Sequence, residues 1–215
     1  MCGIETVYYF GPEGPYRHPA PPLGSVCCQT YGMGFDRATE RLSVAVHEAG
    51  HTLAAMILGF HVPSVAVTEP TRRRDCGHLY EITGGLDDDF RLYGGHIRDA
   101  MTVLLAGERA EDRWMRETGT WTQTRAFFAE RGGLADRATG RGAMARLGVQ
   151  MQFATSTVDS PDDRDYWRYV PLADQVLAPA WPQVLLLAER VAEAGCVSGD
   201  EAADACGIQN PAPRT

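Results

Sequence analysis

Between Asp36 and Gly59 the sequence holds one helical pattern that is apolar almost all round. Leu42, Val46, Ala49, Leu53 and Ile57 recur at the spacing of one helix face, and Val44, Ala45, Ala54 and Leu58 make other faces apolar too. Such a helix has to be buried, so the rest of the chain must fold around it. Asp36 suits the cap of its first turn, Glu40 the positive end of its dipole, and Gly59 its stop.

Residues 47–51 of this helix read His-Glu-Ala-Gly-His. Positions four apart share a helix face, so His47 and His51 can aim two imidazoles at one metal ion. Glu48 lies about 100° further round, given about 3.6 residues per turn, where it can reach a metal-bound water without being a ligand. A catalytic Zn2+ takes three protein ligands and keeps one position open. Glu48 would then act as the base that activates the zinc-bound water. The competing interpretation is a pair of core histidines satisfied by neighbours, with Glu48 in an ion pair. Burying two imidazoles and a carboxylate in an apolar helix is costly without such a partner. Helical placement offers Glu108, Glu111, Asp112 and Asp136 as third ligand, and periodicity alone does not choose among them.

With 215 residues and a formal net charge of -8, the chain suits one compact, acidic domain, which makes nucleic acid and anionic membrane surfaces poor partners. It contains no Lys, which excludes a P-loop and a Schiff-base nucleophile. No C-x-x-C, signal-peptide pattern or spanning apolar stretch occurs, so a cytoplasmic setting with reduced thiols is expected. Cys27 and Cys28 are adjacent, too awkwardly placed for a mutual disulfide, and read as free thiols.

Residues 1–34, rich in Gly and Pro, read as an irregular N-terminal arm preceding a domain over 35–215. After the first helix, 62–68 reads as a strand, with 78–83 as its hairpin partner and Asp87 to Asp89 as a solvated loop. Further helices are expected over 95–116, 135–147 and from Pro182 to Gly195, with Ala106 and Gly107 letting a neighbouring helix approach closely. Residues 157–171 read as an acidic, exposed connection, and Ser198 with Glu201 as a capping box. The fold class expected is mainly α with a small β-sheet or hairpin (α+β).

Several of these segments resemble the zinc peptidase half of the FtsH-type AAA proteases. Ser43-Val-Ala-Val-His-Glu-Ala-Gly-His-Thr-Leu-Ala-Ala is similar to that family's zinc helix, and Val65-Ala-Val-Thr-Glu-Pro to the strand after it. Leu104-Leu-Ala-Gly-Glu-Arg-Ala-Glu-Asp resembles its second helix, and Leu187-Ala-Glu-Arg-Val-Ala-Glu its closing helix. Gly133-Leu-Ala-Asp-Arg-Ala-Thr is similar to the segment where the family's Asp completes the metal site, so the resemblance makes Asp136 the third ligand. It implies a zincin-like helical metallopeptidase domain. It does not extend to an ATPase module or a membrane anchor, so the activity implied is ATP-independent hydrolysis of peptides, unfolded protein segments or small amides. A zinc enzyme tailoring a small molecule, or a metal-binding module without catalysis, are the alternatives. His78 and Cys76, on the expected edge strand over 76–81, are candidates for contacting substrate.

Overall fold

The computed structural model describes residues 8–9, 15–86, 97–153 and 164–213. Two very short strands, β1 (Tyr8–Tyr9) and β2 (Pro15–Tyr16), pair antiparallel and lead to a one-turn helix, α1 (Gln29–Met33). The central helix α2 spans Arg37–Ile57, and the Asp36 carboxylate accepts the Thr39 N–H at 2.8 Å, as its cap position requires. Every residue of α2 from Ala45 to Met56 is buried. Gly59, at φ +83, ends it.

Around α2 lie β3 (Ser64–Thr68), β4 (Thr83–Leu86) and, among the described residues, six further α-helices. These are α3 (Ile97–Glu117), α4 (Gln123–Gly132), α5 (Leu134–Arg146), α6 (Val170–Leu177), α7 (Trp181–Ala194) and α8 (Gly199–Cys206). A short strand β5 (Cys196–Ser198) precedes α8. The sheet is antiparallel in the order β4-β3-β5, with Val65 opposite Leu86 on one side and Val197 on the other. The chain is therefore mainly helical with one small three-stranded sheet, an α+β arrangement. Ser198 and Glu201 form the expected capping box at the start of α8.

The main core gathers α2, α3, α6 and α7, with Leu53, Met101, Leu105 and Leu187 fully enclosed. Gly50 brings α2 and α3 together almost backbone to backbone: a Cβ there would lie 2.6 Å from the Ala106 carbonyl oxygen. A smaller cluster of Tyr16, Met33, Phe127 and Phe128 joins the N-terminal arm to α4.

Four expectations need correction. The partner of β3 is 83–86 rather than 78–83; residues 74–78 instead make a tight turn, closed by the Arg74 N–H to His78 O bond at 2.8 Å. The arm is not wholly irregular, since it contains α1. Helix α4 has no counterpart among the expected elements, because its buried residues, Ala126 to Glu130, run consecutively instead of at helical spacing. Finally, the end of 157–171 is core: Asp165, Tyr166 and Tyr169 are at most 1% exposed. Pro171 opens α6 at a position where its missing N–H costs nothing. Residues 154–163, Asp87 to Asp89, and the expected helix start at 95–96 lie outside the described residues.

Candidate metal centre

His47, Glu48 and His51 occupy the middle of α2, where α3 crosses it, and all three are buried. The crossing requires Gly107 on α3: a Cβ there would lie 2.3 Å from His51 Nε2 and 2.7 Å from His47 Nε2. The two Nε2 atoms are 3.0 Å apart, and Asp136 Oδ2, from the first turn of α5, lies 3.4 Å from each. His47, His51 and Asp136 thus offer three donor atoms to one point in space.

His51 Nδ1 lies 2.7 Å from the Val103 carbonyl oxygen, which only accepts, so the ring's N–H is committed there and Nε2 presents a lone pair. His47 Nδ1 faces Glu111 Oε2 at 3.4 Å, and Glu111 is oriented by the Ser43 hydroxyl, which donates to Oε1 at 2.7 Å. In the neutral tautomers that these partners select, two lone pairs and a carboxylate oxygen meet, an arrangement that either a metal cation or added protons would satisfy. The residues fit zinc: metal–ligand bonds of about 2.0–2.2 Å in a tetrahedron separate N and O ligands by about 3.3 Å. In the metal-free chain the same demand falls on protons. Burial pulls the His47 imidazole down, but hydrogen bonding to Asp136 and Glu111 outweighs it and raises His47 well above the ordinary range. His51 is raised against burial in the same way, mainly by Asp136. Burial would raise Asp136, yet the two imidazoles hold it far below the usual carboxylate range.

The other three carboxylates considered for the third position are engaged elsewhere. Glu111 backs His47. Asp112 accepts from Arg116 at 2.8 Å and from the Trp121 indole at 2.9 Å. Glu108 pairs at 3.3 Å with Arg137, which also pairs with Glu130 of α4 at 3.0 Å. Arg137 is 1% exposed and lies among the rings of Tyr16, Tyr166 and Trp167. It pins the first turn of α5 to α3 and α4, which holds Asp136 in place. No sequence signal pointed to Arg137, Ser43 or the Val103 carbonyl.

Glu48 lies against β4, where a Cβ on Gly84 would come within 2.3 Å of Glu48 Cγ. Burial pushes the Glu48 carboxyl up, while the two imidazoles pull it the other way. A cavity of about 770 Å3 opens onto the site, lined by His47, Glu48, His51 and Asp136 and walled by Thr83, Gly84 and Gly85 of β4. Met33 and Phe128 close another side. Cys76 and His78, expected to contact substrate, are not among the residues lining this cavity; their donor atoms lie beside those of Cys27 and Cys28. Among the described residues no helix is long and apolar enough to cross a membrane.

A scan against family models finds no match for this chain, and a search of curated proteins finds none either.

Proposed function

We propose that the chain is an ATP-independent zinc hydrolase of peptide or amide bonds, a zincin-like domain with the metal on His47, His51 and Asp136. The observation that carries the reading is the meeting of two imidazole nitrogens and a carboxylate oxygen beside the buried Glu48, on the lining of a cavity. A zinc ion held there would supply Lewis acidity, polarising the scissile carbonyl and lowering the pKa of water. Glu48 would accept the proton of the attacking water and deliver it to the leaving nitrogen; burial keeps its carboxyl basic enough for both tasks. Glu111 and the Val103 carbonyl fix the rotation of His47 and His51, and Arg137 fixes α5 beneath Asp136.

A peptide is favoured over a small molecule by β4. It pairs only with β3 among the described residues, and its exposed residues Thr83 to Gly85 wall the cavity. An extended peptide can add to such an edge through main-chain hydrogen bonds. Unfolded casein incubated with the zinc-loaded protein tests the reading. Cleavage is expected, with Glu48→Gln retaining zinc and losing about 10²–10⁴ in rate. Casein left intact by zinc-loaded protein, or cleaved equally by Glu48→Gln, would reject it.

A further inference from the structure

Among the described residues a second group could hold a metal ion: Cys27, Cys28, Cys76 and His78, whose donor atoms all lie within 4.8 Å of one another. Cys27 and Cys28 sit just before α1. Cys76 and His78 sit on the tight turn after β3, some fifty residues away, shaped by Gly77 at φ +84 and its N–H to Arg74 O bond of 2.8 Å. The turn presents both donors on the side that faces the arm. His78 Nδ1 is 3.4 Å from Cys76 Sγ and 3.4 Å from Cys27 Sγ, and the Cys27 and Cys28 sulfurs are 3.9 Å apart.

These separations discriminate between occupants. A disulfide needs sulfurs about 2.05 Å apart, which Cys27 and Cys28 do not approach. Tetrahedral zinc, with Zn–S of about 2.3 Å and Zn–N of about 2.0–2.1 Å, separates two sulfurs by about 3.8 Å and a sulfur from a nitrogen by about 3.5 Å. Three thiols with one imidazole is also a familiar donor set for a closed, structural zinc site.

We propose that Cys27, Cys28, Cys76 and His78 form a second, structural zinc site that staples the N-terminal arm to the turn before β4. Loading forms three Zn–S bonds and one Zn–N bond and releases the thiol protons to solvent. The staple would work beside weaker links on the same seam: the Thr30 hydroxyl donates to Leu79 O at 3.1 Å, and the Tyr31 ring lies 5.6 Å from that of His78. What it holds together is one wall of the cavity, since Gln29 and Met33 line it from the arm and Glu81 and Ile82 from the chain leading into β4. The proposal does not depend on the hydrolytic reading, because the two metals share no ligand.

The test is metal content and cobalt spectroscopy of the full-length, reduced protein. Wild type should hold a second zinc equivalent beyond the histidine site. Substitution by Co2+ should give intense near-ultraviolet thiolate-to-cobalt bands. Cys76→Ser and His78→Ala should each lose one equivalent, and Cys76→Ser should lose most of the thiolate band intensity. His47→Ala should keep the bands and lose only the other metal. Cys196→Ser, at an exposed thiol elsewhere, should change nothing. Circular dichroism identifies variants that fail to fold, and either of the two staple variants suffices for the reading. Wild-type protein without thiolate–cobalt bands, an unchanged metal content in the folded staple variants, or a native disulfide among these cysteines would overturn the proposal. Wild-type protein that holds metal only at the thiolate site, with the bands intact, would sink the hydrolase reading and leave this one standing.

Discussion

Gly107→Ala places a single methyl group against His47 and His51 without replacing either residue. The new Cβ would lie 2.3 Å from His51 Nε2 and 2.7 Å from His47 Cδ2 and Nε2. Ordinary contact begins at about 3.5 Å, so the His51 ring has to retreat by about 1 Å. Zinc–ligand distances tolerate only about 0.2 Å, and the retreat is several times that. Zinc affinity should therefore fall by more than about 100-fold, or about 2.7 kcal/mol. Stability behaves differently. Replacing glycine inside α3 gains about 1 kcal/mol of helix propensity, whereas overpacking costs about 1–3 kcal/mol. The metal-free protein should then lose at most about 2 kcal/mol in urea unfolding. Chelator competition measures the affinity, and urea denaturation of the metal-free form measures the fold. Gly142→Ala on α5 is the control, because its Cβ would meet nothing closer than Arg146 Nη1 at 3.8 Å; it should leave metal binding unchanged. A Gly107→Ala protein that binds zinc as tightly as wild type would refute the packing of α3 over the two imidazoles.

Glu111→Gln should weaken zinc binding by about 10- to 100-fold through the disturbed His47 ring, and Asp136→Ala should weaken it more; the reverse order in chelator competition would exchange their assigned places. Arg137→Met leaves Glu108 and Glu130 buried without their cation, and should cost about 3–5 kcal/mol in chemical denaturation; a loss below about 1 kcal/mol would count against that network as what holds α5. Removing zinc with a chelator should lower the melting temperature in proportion to the stability lost, about 4 kcal/mol for zinc at a thousand times its dissociation constant. A melting curve unaltered by chelation would show that the donors hold no tightly bound ion.

How far the sequence reached can be judged residue by residue. The interval from His47 to His51 was legible because both lie on one helix, whose pitch alone sets their geometry. The caps at Asp36 and Ser198 and the close approach at Gly107 were legible for the same reason: each is a local consequence of backbone geometry. Asp136 emerged only through resemblance, since Glu108, Glu111 and Asp112 are as eligible by spacing. The structure separates them by charge pairing, with Glu108 held by Arg137 and Asp112 by Arg116. The hairpin partner was expected at 78–83, whereas residues 74–78 close into a turn and 83–86 pair with β3.

Local acidity makes 157–171 read as an exposed connection, whereas Asp165, Tyr166, Trp167 and Tyr169 are buried, with Tyr166 and Trp167 packed around Arg137. The gathering of Cys27 and Cys28 with Cys76 and His78 depends on where two distant segments come to rest. The sequence by itself therefore determined the helix and the relation of His47, Glu48 and His51 along it, because helical spacing is a short-range property. Only the tertiary structure decided which carboxylate lies beside the two imidazoles and that the four donors of Cys27, Cys28, Cys76 and His78 gather. Those choices depend on separations across the fold, which no periodicity encodes.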